Sequence, residues 1–274
     1  MAKLTEKQQE LLEANQEYWK DRTTAAQAKL TNKNIKLVNK QLRRYFSIAM
    51  KHVIDDFEAT YDKLQATQEA GKQQTPADLY KLDRYWQMQG QLQQELQKLG
   101  DKQARAMRKA FEEQFFDIYF SIALPGKEAF TTINKEGALH LINSIWCADG
   151  LDFSQRIWNN TELLIETLNE ELVACVITGK KTSELKKLLR ERFNVSYGSA
   201  DRIARTEMSH IQNAAAKQRY EDYGIKQMQV WADKDERRCD ICGKLHKKKY
   251  SINEAPPVPV HPNCRCTIVP VVEI

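Results

Sequence analysis

Between Ile35 and Leu64 apolar side chains recur at steps of three and four: Ile35, Val38, Leu42, Tyr45, Ala49, Val53, Phe57, Tyr61 and Leu64. On a helix these positions fall on one side, so the pattern predicts a long amphipathic helix over 34–66. Residues 5–28 are helix-prone but polar, with Leu11, Leu12, Tyr18 and Trp19 as apolar points. That stretch reads as a helix that docks on a partner, or as a loosely held arm. Thr67 to Gln74 is polar, contains Gly71 and breaks the pattern. Thr75-Pro76-Ala77-Asp78 reads as a helix start, with a hydroxyl cap, proline in the first turn and an acid near the positive end of the dipole. The helix runs through Leu79, Leu82, Trp86, Leu92 and Leu96 to Gly100. Asp101 restarts another, with Met107, Phe111, Phe115 and Ile118 on its stripe, and Pro125-Gly126 ends it. Residues 1–126 are therefore expected to form an N-terminal helical hairpin or small bundle.

A second helical region is expected over 127–225. It comprises Asn134 to Trp146, a helix from about Asn160 to Ile177 closed by Gly179, a short helix capped by Thr182, and a last helix from Ser196–Ser199 to Gly224. Then the period changes. Met228, Val230 and Ala232 alternate with Gln227, Gln229 and Trp231, which is strand spacing, and 249–252 and 267–269 are further short strands. Only seven prolines occur, five of them after residue 255, so the chain before that point is poor in breakers. The expected fold is mainly α, with a small β-hairpin module over 226–274.

Cysteine usage sharpens the reading of that module. Four of the six cysteines lie in the last forty residues, as Cys239-Asp-Ile-Cys242 and His261-Pro-Asn-Cys264-Arg-Cys266. Two residues between cysteines let a tight turn aim both sulfurs at one point, and a second pair some twenty residues later can close a tetrahedron around zinc. His261 and Cys264 repeat the two-residue gap of the first pair, so the favoured set is Cys239, Cys242, His261 and Cys264. Cys266 is the rival fourth ligand. Reduced thiols without metal, or one disulfide between the pairs, are the alternatives. Met1 to Lys20 has no apolar segment of the kind that opens a secretory signal, so synthesis in a reducing cytoplasm is expected, which disfavours the disulfide. A module with so few apolar residues needs such a staple. Cys147 and Cys175 lie in apolar helical surroundings and read as ordinary buried residues.

Charge adds less. Forty-two basic against 37 acidic residues give +5, and the stretch 226–274 holds nine Lys/Arg against six Asp/Glu. Lys244, Lys247, Lys248 and Lys249 are the candidates for touching DNA phosphate, in a weak, sequence-independent and salt-sensitive way. Nothing here suggests base readout, and a charge run of this kind is more often just a solvated hairpin face.

Three blocks stand in a recognisable order: Phe153-Ser154-Gln155-Arg156-Ile157-Trp158; Arg202-Ile203-Ala204-Arg205-Thr206-Glu207 with Asn213; and Trp231, Asp235, the cysteine pair with Leu245, Pro256-Pro257 and His261 to Cys266. Together they resemble the phage minor head proteins of the Mu F-like head-morphogenesis family, over about residues 130–270. The resemblance implies a structural virion protein made in the host cytoplasm. It would be present in few copies in the phage head, associated with the portal and linked to assembly, DNA packaging or DNA delivery. Family members carry a glycine soon after the leucine that follows the cysteine pair, whereas Leu245 here is followed by His246-Lys247-Lys248-Lys249. Some relatives carry a toxin domain beyond this region; with eight residues after Cys266, none is expected here.

Other chemistry is weaker. Arg202, Arg205, Thr206 and Glu207 read as structural, with Arg205 and Glu207 fastening the last helix to the terminal module. Glu207 and His210, three apart, look like half of a helical metal site, but one such pair without a second is usually a solvated or capping contact. Asp233, Asp235 and Glu236 could hold magnesium in a nuclease, but Lys234, Arg237 and Arg238 interleave with them. No catalytic residue is assigned and no enzyme is expected. A metal-dependent nuclease that grips DNA with a zinc-stapled module is the alternative.

Overall fold

A computed structural model describes residues 5–66, 83–123, 135–147, 149–232 and 238–272. The expected helix start at Thr75–Asp78, the breaks at Gly71 and Pro125-Gly126, and the acidic cluster Asp233, Asp235 and Glu236 lie outside the described residues. Among the described residues five α-helices precede the strands: α1 (Glu6–Ala66), α2 (Asp83–Ser121), α3 (Lys135–Ile142), α4 (Phe153–Ile177) and α5 (Thr182–Asp222). Then come β1 (Gln227–Trp231), the short helix α6 (Asp240–Leu245), β2 (Lys249–Ser251) and β3 (Thr267–Pro270). The protein is mainly helical and, among the described residues, every strand lies after residue 226, as the change of hydrophobic period predicts.

Several helices are longer than expected. The polar stretch before residue 34 is continuous with α1. Thr182 to Asp222 is one helix, where the sequence predicts two. α4 begins at Phe153 and α3 ends at Ile142, four residues before Trp146. Gly100 neither ends nor restarts a helix; it lies inside α2. The reason is packing. A Cβ at Gly100 would sit 2.8 Å from a carbon of the Trp158 ring, so glycine is there to let the indole approach the backbone.

The chain divides into two compact units that cut across the sequence boundaries at 126 and 225, because α1, α2 and α5 each contribute residues to both. One unit holds Val38–Met107 and Phe153–Ile203. Its core is the predicted stripe of α1 (Val38, Leu42, Val53, Phe57, Tyr61) together with Met88, Leu92 and Leu96 of α2, Leu164, Leu168 and Leu172 of α4, and Leu189 and Phe193 of α5. Each such side chain contributes roughly 1.5–3 kcal/mol by leaving water. Trp86, expected on the stripe, is exposed, and Tyr85 takes the buried position beside it. Tyr61, fully buried, donates its hydroxyl to the Lys180 carbonyl at 2.8 Å, which satisfies a polar group that burial would otherwise penalise.

The other unit holds Met1–Leu37, Arg108–Asp152 and Ala204–Ile274. Phe111, Phe115, Ile118 and Tyr119 of α2 and Met208, Ile211, Ala215 and Tyr220 of α5 are buried in it. Its sheet has the order β2-β1-β3, both pairings antiparallel, with Met228 opposite Tyr250 and Val230 opposite Ile268. All four residues of β3 are buried. The outer edge of β3 is closed by a side chain rather than a strand. Asn213 of α5 accepts from the Ile268 N–H at 2.9 Å and donates to the Cys266 carbonyl at 3.2 Å. A side-chain amide carries one donor and one acceptor, as a peptide unit does, so it substitutes for the missing neighbour.

Candidate metal centre

The cysteine-rich ends of the terminal module converge. Cys239 caps the N-terminus of α6, with its sulfur accepting from the Cys242 N–H at 3.4 Å. This is the turn that brings the Cys239 and Cys242 sulfurs to one side. The second ligand segment is a tight turn in which the Cys264 N–H bonds the His261 carbonyl at 3.1 Å and Asn263 adopts a positive φ of 58°. Asn263 also donates its N–H to the Thr206 hydroxyl of α5 at 3.0 Å. Asn213 holds the Cys266 carbonyl from the same helix. Helix α5 is thus the platform that positions the second half of the site.

Five donors gather, in two sets that share Cys242: Cys239, Cys242 and His261, and Cys242, Cys264 and Cys266, with the ligand atoms of each set within 4.8 Å of one another. His261 Nε2 lies 3.3 Å from the Cys239 sulfur and 3.2 Å from that of Cys242, and the Cys242 and Cys264 sulfurs are 3.7 Å apart. These edges fit zinc. Two thiolates at its usual bond length and tetrahedral angle are about 3.8 Å apart, and a sulfur and an imidazole nitrogen about 3.6 Å. None of the cysteines is in a disulfide. The ring of His261 is oriented as a ligand's would be. Its Nδ1 donates to the Pro262 carbonyl at 2.8 Å, which leaves the Nε2 lone pair facing the sulfurs.

The electrostatics divide the thiols. Cys264 is held down at about 5, first by the Cys266 thiol, which donates to its sulfur, and then by the Cys266 and Val260 backbone N–H groups. Cys239 is lowered by the Cys242 N–H. Burial pushes Cys242 up to about 12, and Cys266 is also raised, because its proton is engaged by Cys264. Cys264 and Cys239 are the sulfurs most ready to bind as thiolates. Cys266 reads as a proton-bearing neighbour of Cys264. These five donors could hold a metal ion, and the chemistry it would supply there is a structural cross-link between α6 and the segment before β3.

The remaining sequence candidates are distributed around this centre. Lys244, in the last turn of α6, and Lys247, Lys248 and Lys249 are all exposed. Lys247 has a positive φ of 63°, the conformation that glycine favours. Its ammonium lies 5.4 Å from the centre of the Trp231 ring. Arg202 and Arg205 are exposed. Glu207, 2 % exposed, accepts from Trp146 Nε1 at 3.0 Å, and His210 stacks on the same indole at 4.4 Å. Links from α5 to the terminal module come from Thr206 and Asn213, from Gln212, which donates to the Thr267 hydroxyl at 3.1 Å, and from Tyr220, which donates to the Ile268 carbonyl at 3.4 Å. Asn213 was visible only as part of a motif, because the pattern of a helix does not say that one polar side chain will close a sheet.

A predominantly helical protein ending in a small sheet built around a Cys/His cluster is the class that fold and site define. Residues 166–269, a little over a third of the chain, match the family described as Phage Mu protein F like protein. The match spans α5, the sheet and all five donors. The chain is also 24% identical over 187 residues to NAD(+)--arginine ADP-ribosyltransferase EFV of Enterococcus faecalis (strain ATCC 700802 / V583). That alignment takes in 60% of this chain and 38% of the relative, so the chain spans well under half of that protein's length. No solved structure matches. No described helix is long and apolar enough to cross a membrane.

Proposed function

We propose that this protein is a minor head component that docks on the portal and the inner head surface during morphogenesis. Its terminal module, stapled by one zinc ion, meets packaged DNA. The observation that carries the reading is the coincidence of the Mu F-like match with the metal-ligand cluster: the matched segment contains every donor of the site. The helical part supplies docking surface, and the exposed Lys244, Lys247, Lys248 and Lys249 supply phosphate contacts without base readout. The role is structural and not enzymatic. Thr206 and Glu207 of the most motif-like helix are engaged with Asn263 and Trp146, which supports positioning over catalysis.

Three measurements test this. Co-purification with the portal protein of the same phage should succeed, and failure with an intact, folded chain removes the docking claim. Elemental analysis should give about one zinc per chain. His261→Ala should release the metal while Cys266→Ala retains it; the reverse pattern moves the fourth ligand to Cys266. Magnesium-dependent DNA cleavage by the purified chain would replace the structural role with the nuclease alternative.

A further inference from the structure

The buried stripe of α1 changes character at residue 38. From Val38 to Tyr61 it is apolar, but the buried residues before it are Thr23, Gln27, Thr31 and Asn34. Among the described side chains of residues 5–37, no apolar one is buried. This segment docks through hydrogen bonds. Thr31 donates to Gln212 at 2.6 Å, and Asn34 donates to Gln114 at 2.8 Å. Gln27 accepts from Thr267 of β3 at 3.1 Å. Nearer the N-terminus Gln16 donates to the Pro270 carbonyl at 2.7 Å, and the Lys20 ammonium lies 4.7 Å from the centre of the Trp231 ring. The segment therefore lies across β3 and over the Trp231 ring of the terminal module.

Such a seam differs in kind from an apolar one. Opening an apolar seam exposes hydrocarbon to water, and the cost grows with the area exposed. Opening this seam exchanges side-chain hydrogen bonds for bonds to water, which is close to balanced. One group gains outright. The Nε2 amide of Gln27 is buried without a hydrogen-bond partner among the described residues, and release hydrates it. The described side chains that this segment buries are polar, so undocking exposes no buried apolar side chain among them, and a helix without tertiary packing loses most of its support.

We propose that residues 6–34 form a releasable strap, which docks on the terminal module through polar side chains and undocks while the apolar stripe from Val38 to Tyr61 stays packed. Release lifts Lys20 from Trp231 and Gln16 from β3, so the strap controls access to that face of the module.

Hydrogen exchange followed by mass spectrometry on the full chain tests this. Amides of 8–30 should exchange at least about a hundredfold faster than those of 40–60. Gln16→Ala, which removes the bond to the Pro270 carbonyl, should speed exchange in 8–30 by about fivefold and leave 40–60 unchanged. Strap amides as slow as those of 40–60 in the native chain overturn the proposal. So does a Gln16→Ala effect that is equal in both regions, which would mean that the strap opens only with global unfolding.

Discussion

Replacing Gly100 by alanine should destabilise the protein, although the same change at Gly90, ten residues earlier on α2, should stabilise it. Both glycines lie inside a helix, where alanine is favoured by roughly 0.5–1 kcal/mol because it restricts the unfolded chain. At Gly90 nothing stands within 4 Å of the new Cβ, so that gain is expected in full. At Gly100 the new carbon meets three atoms of the Trp158 ring at 2.8, 3.1 and 3.2 Å. Carbon atoms pack best at about 3.5–4.0 Å, so the indole must retreat by the better part of an ångström. Trp158 lies on α4 and is half-buried, beside the buried Ile157 and Thr161. Overpacking of this kind costs about 1–3 kcal/mol. The propensity gain offsets part of it, leaving a net loss near 1 kcal/mol and a difference between the two variants of about 1–3 kcal/mol.

Urea denaturation of the two single variants, followed by circular dichroism, reads that difference directly, because both positions belong to the same compact unit. Trp158→Leu in the Gly100→Ala background should recover more stability than it does alone, since the pair is in contact and couples. A Gly100→Ala protein as stable as Gly90→Ala would refute the claim that the indole packs on the helix backbone.

Asn213→Ala should leave the Ile268 N–H and the Cys266 carbonyl buried without partners, at about 1–3 kcal/mol each; zinc retention under a chelator challenge should fall with it. Lys247→Gly should stabilise the module by roughly 0.5 kcal/mol, about 1 from relief of the positive φ less about 0.5 from the lost cation–π contact, as measured by the midpoint of thermal unfolding. Zinc affinity should rise with pH. Cys242, held at about 12 by burial in the metal-free chain, keeps its proton at neutral pH and must lose it to bind. Calorimetry in buffers of different ionisation enthalpy should therefore find at least one proton released. If Lys247 and Lys248 each neutralise a phosphate, Lys247→Ala/Lys248→Ala should reduce the slope of log affinity against log salt by about 2, and an unchanged slope removes both from the DNA contact.

The sequence revealed what depends on periodicity and missed what depends on single close contacts. Val38 to Tyr61 and Met107 to Ile118 were legible because helical spacing alone decides which face is buried. The three strands were legible because alternation returned after Gly224 and proline increased after residue 255. The ligand cluster was legible because Cys-x-x-Cys and His-x-x-Cys are local turns that need no tertiary information to bring their atoms together. Gly100 was misread as a helix end. A glycine within a helical pattern carries the same local signal whether it stops the helix or admits a ring from another helix, and only Trp158 distinguishes the two.

The polar half of α1 was misread for a related reason. A helix with Thr, Gln, Thr and Asn on its inner face has no hydrophobic period, so it reads as unattached. Its attachment consists of paired amides and hydroxyls on Gln114, Gln212 and Thr267, far away in the chain. Lys247 shows the converse. The sequence showed a run of lysines after Leu245 but not its turn, and the backbone there puts Lys247 at a positive φ of 63°, a conformation that glycine adopts more easily. Tertiary pairing holds that turn: the Lys247 N–H and the Lys248 carbonyl are bonded to the two polar groups of Val230, which fixes the chain between α6 and β2.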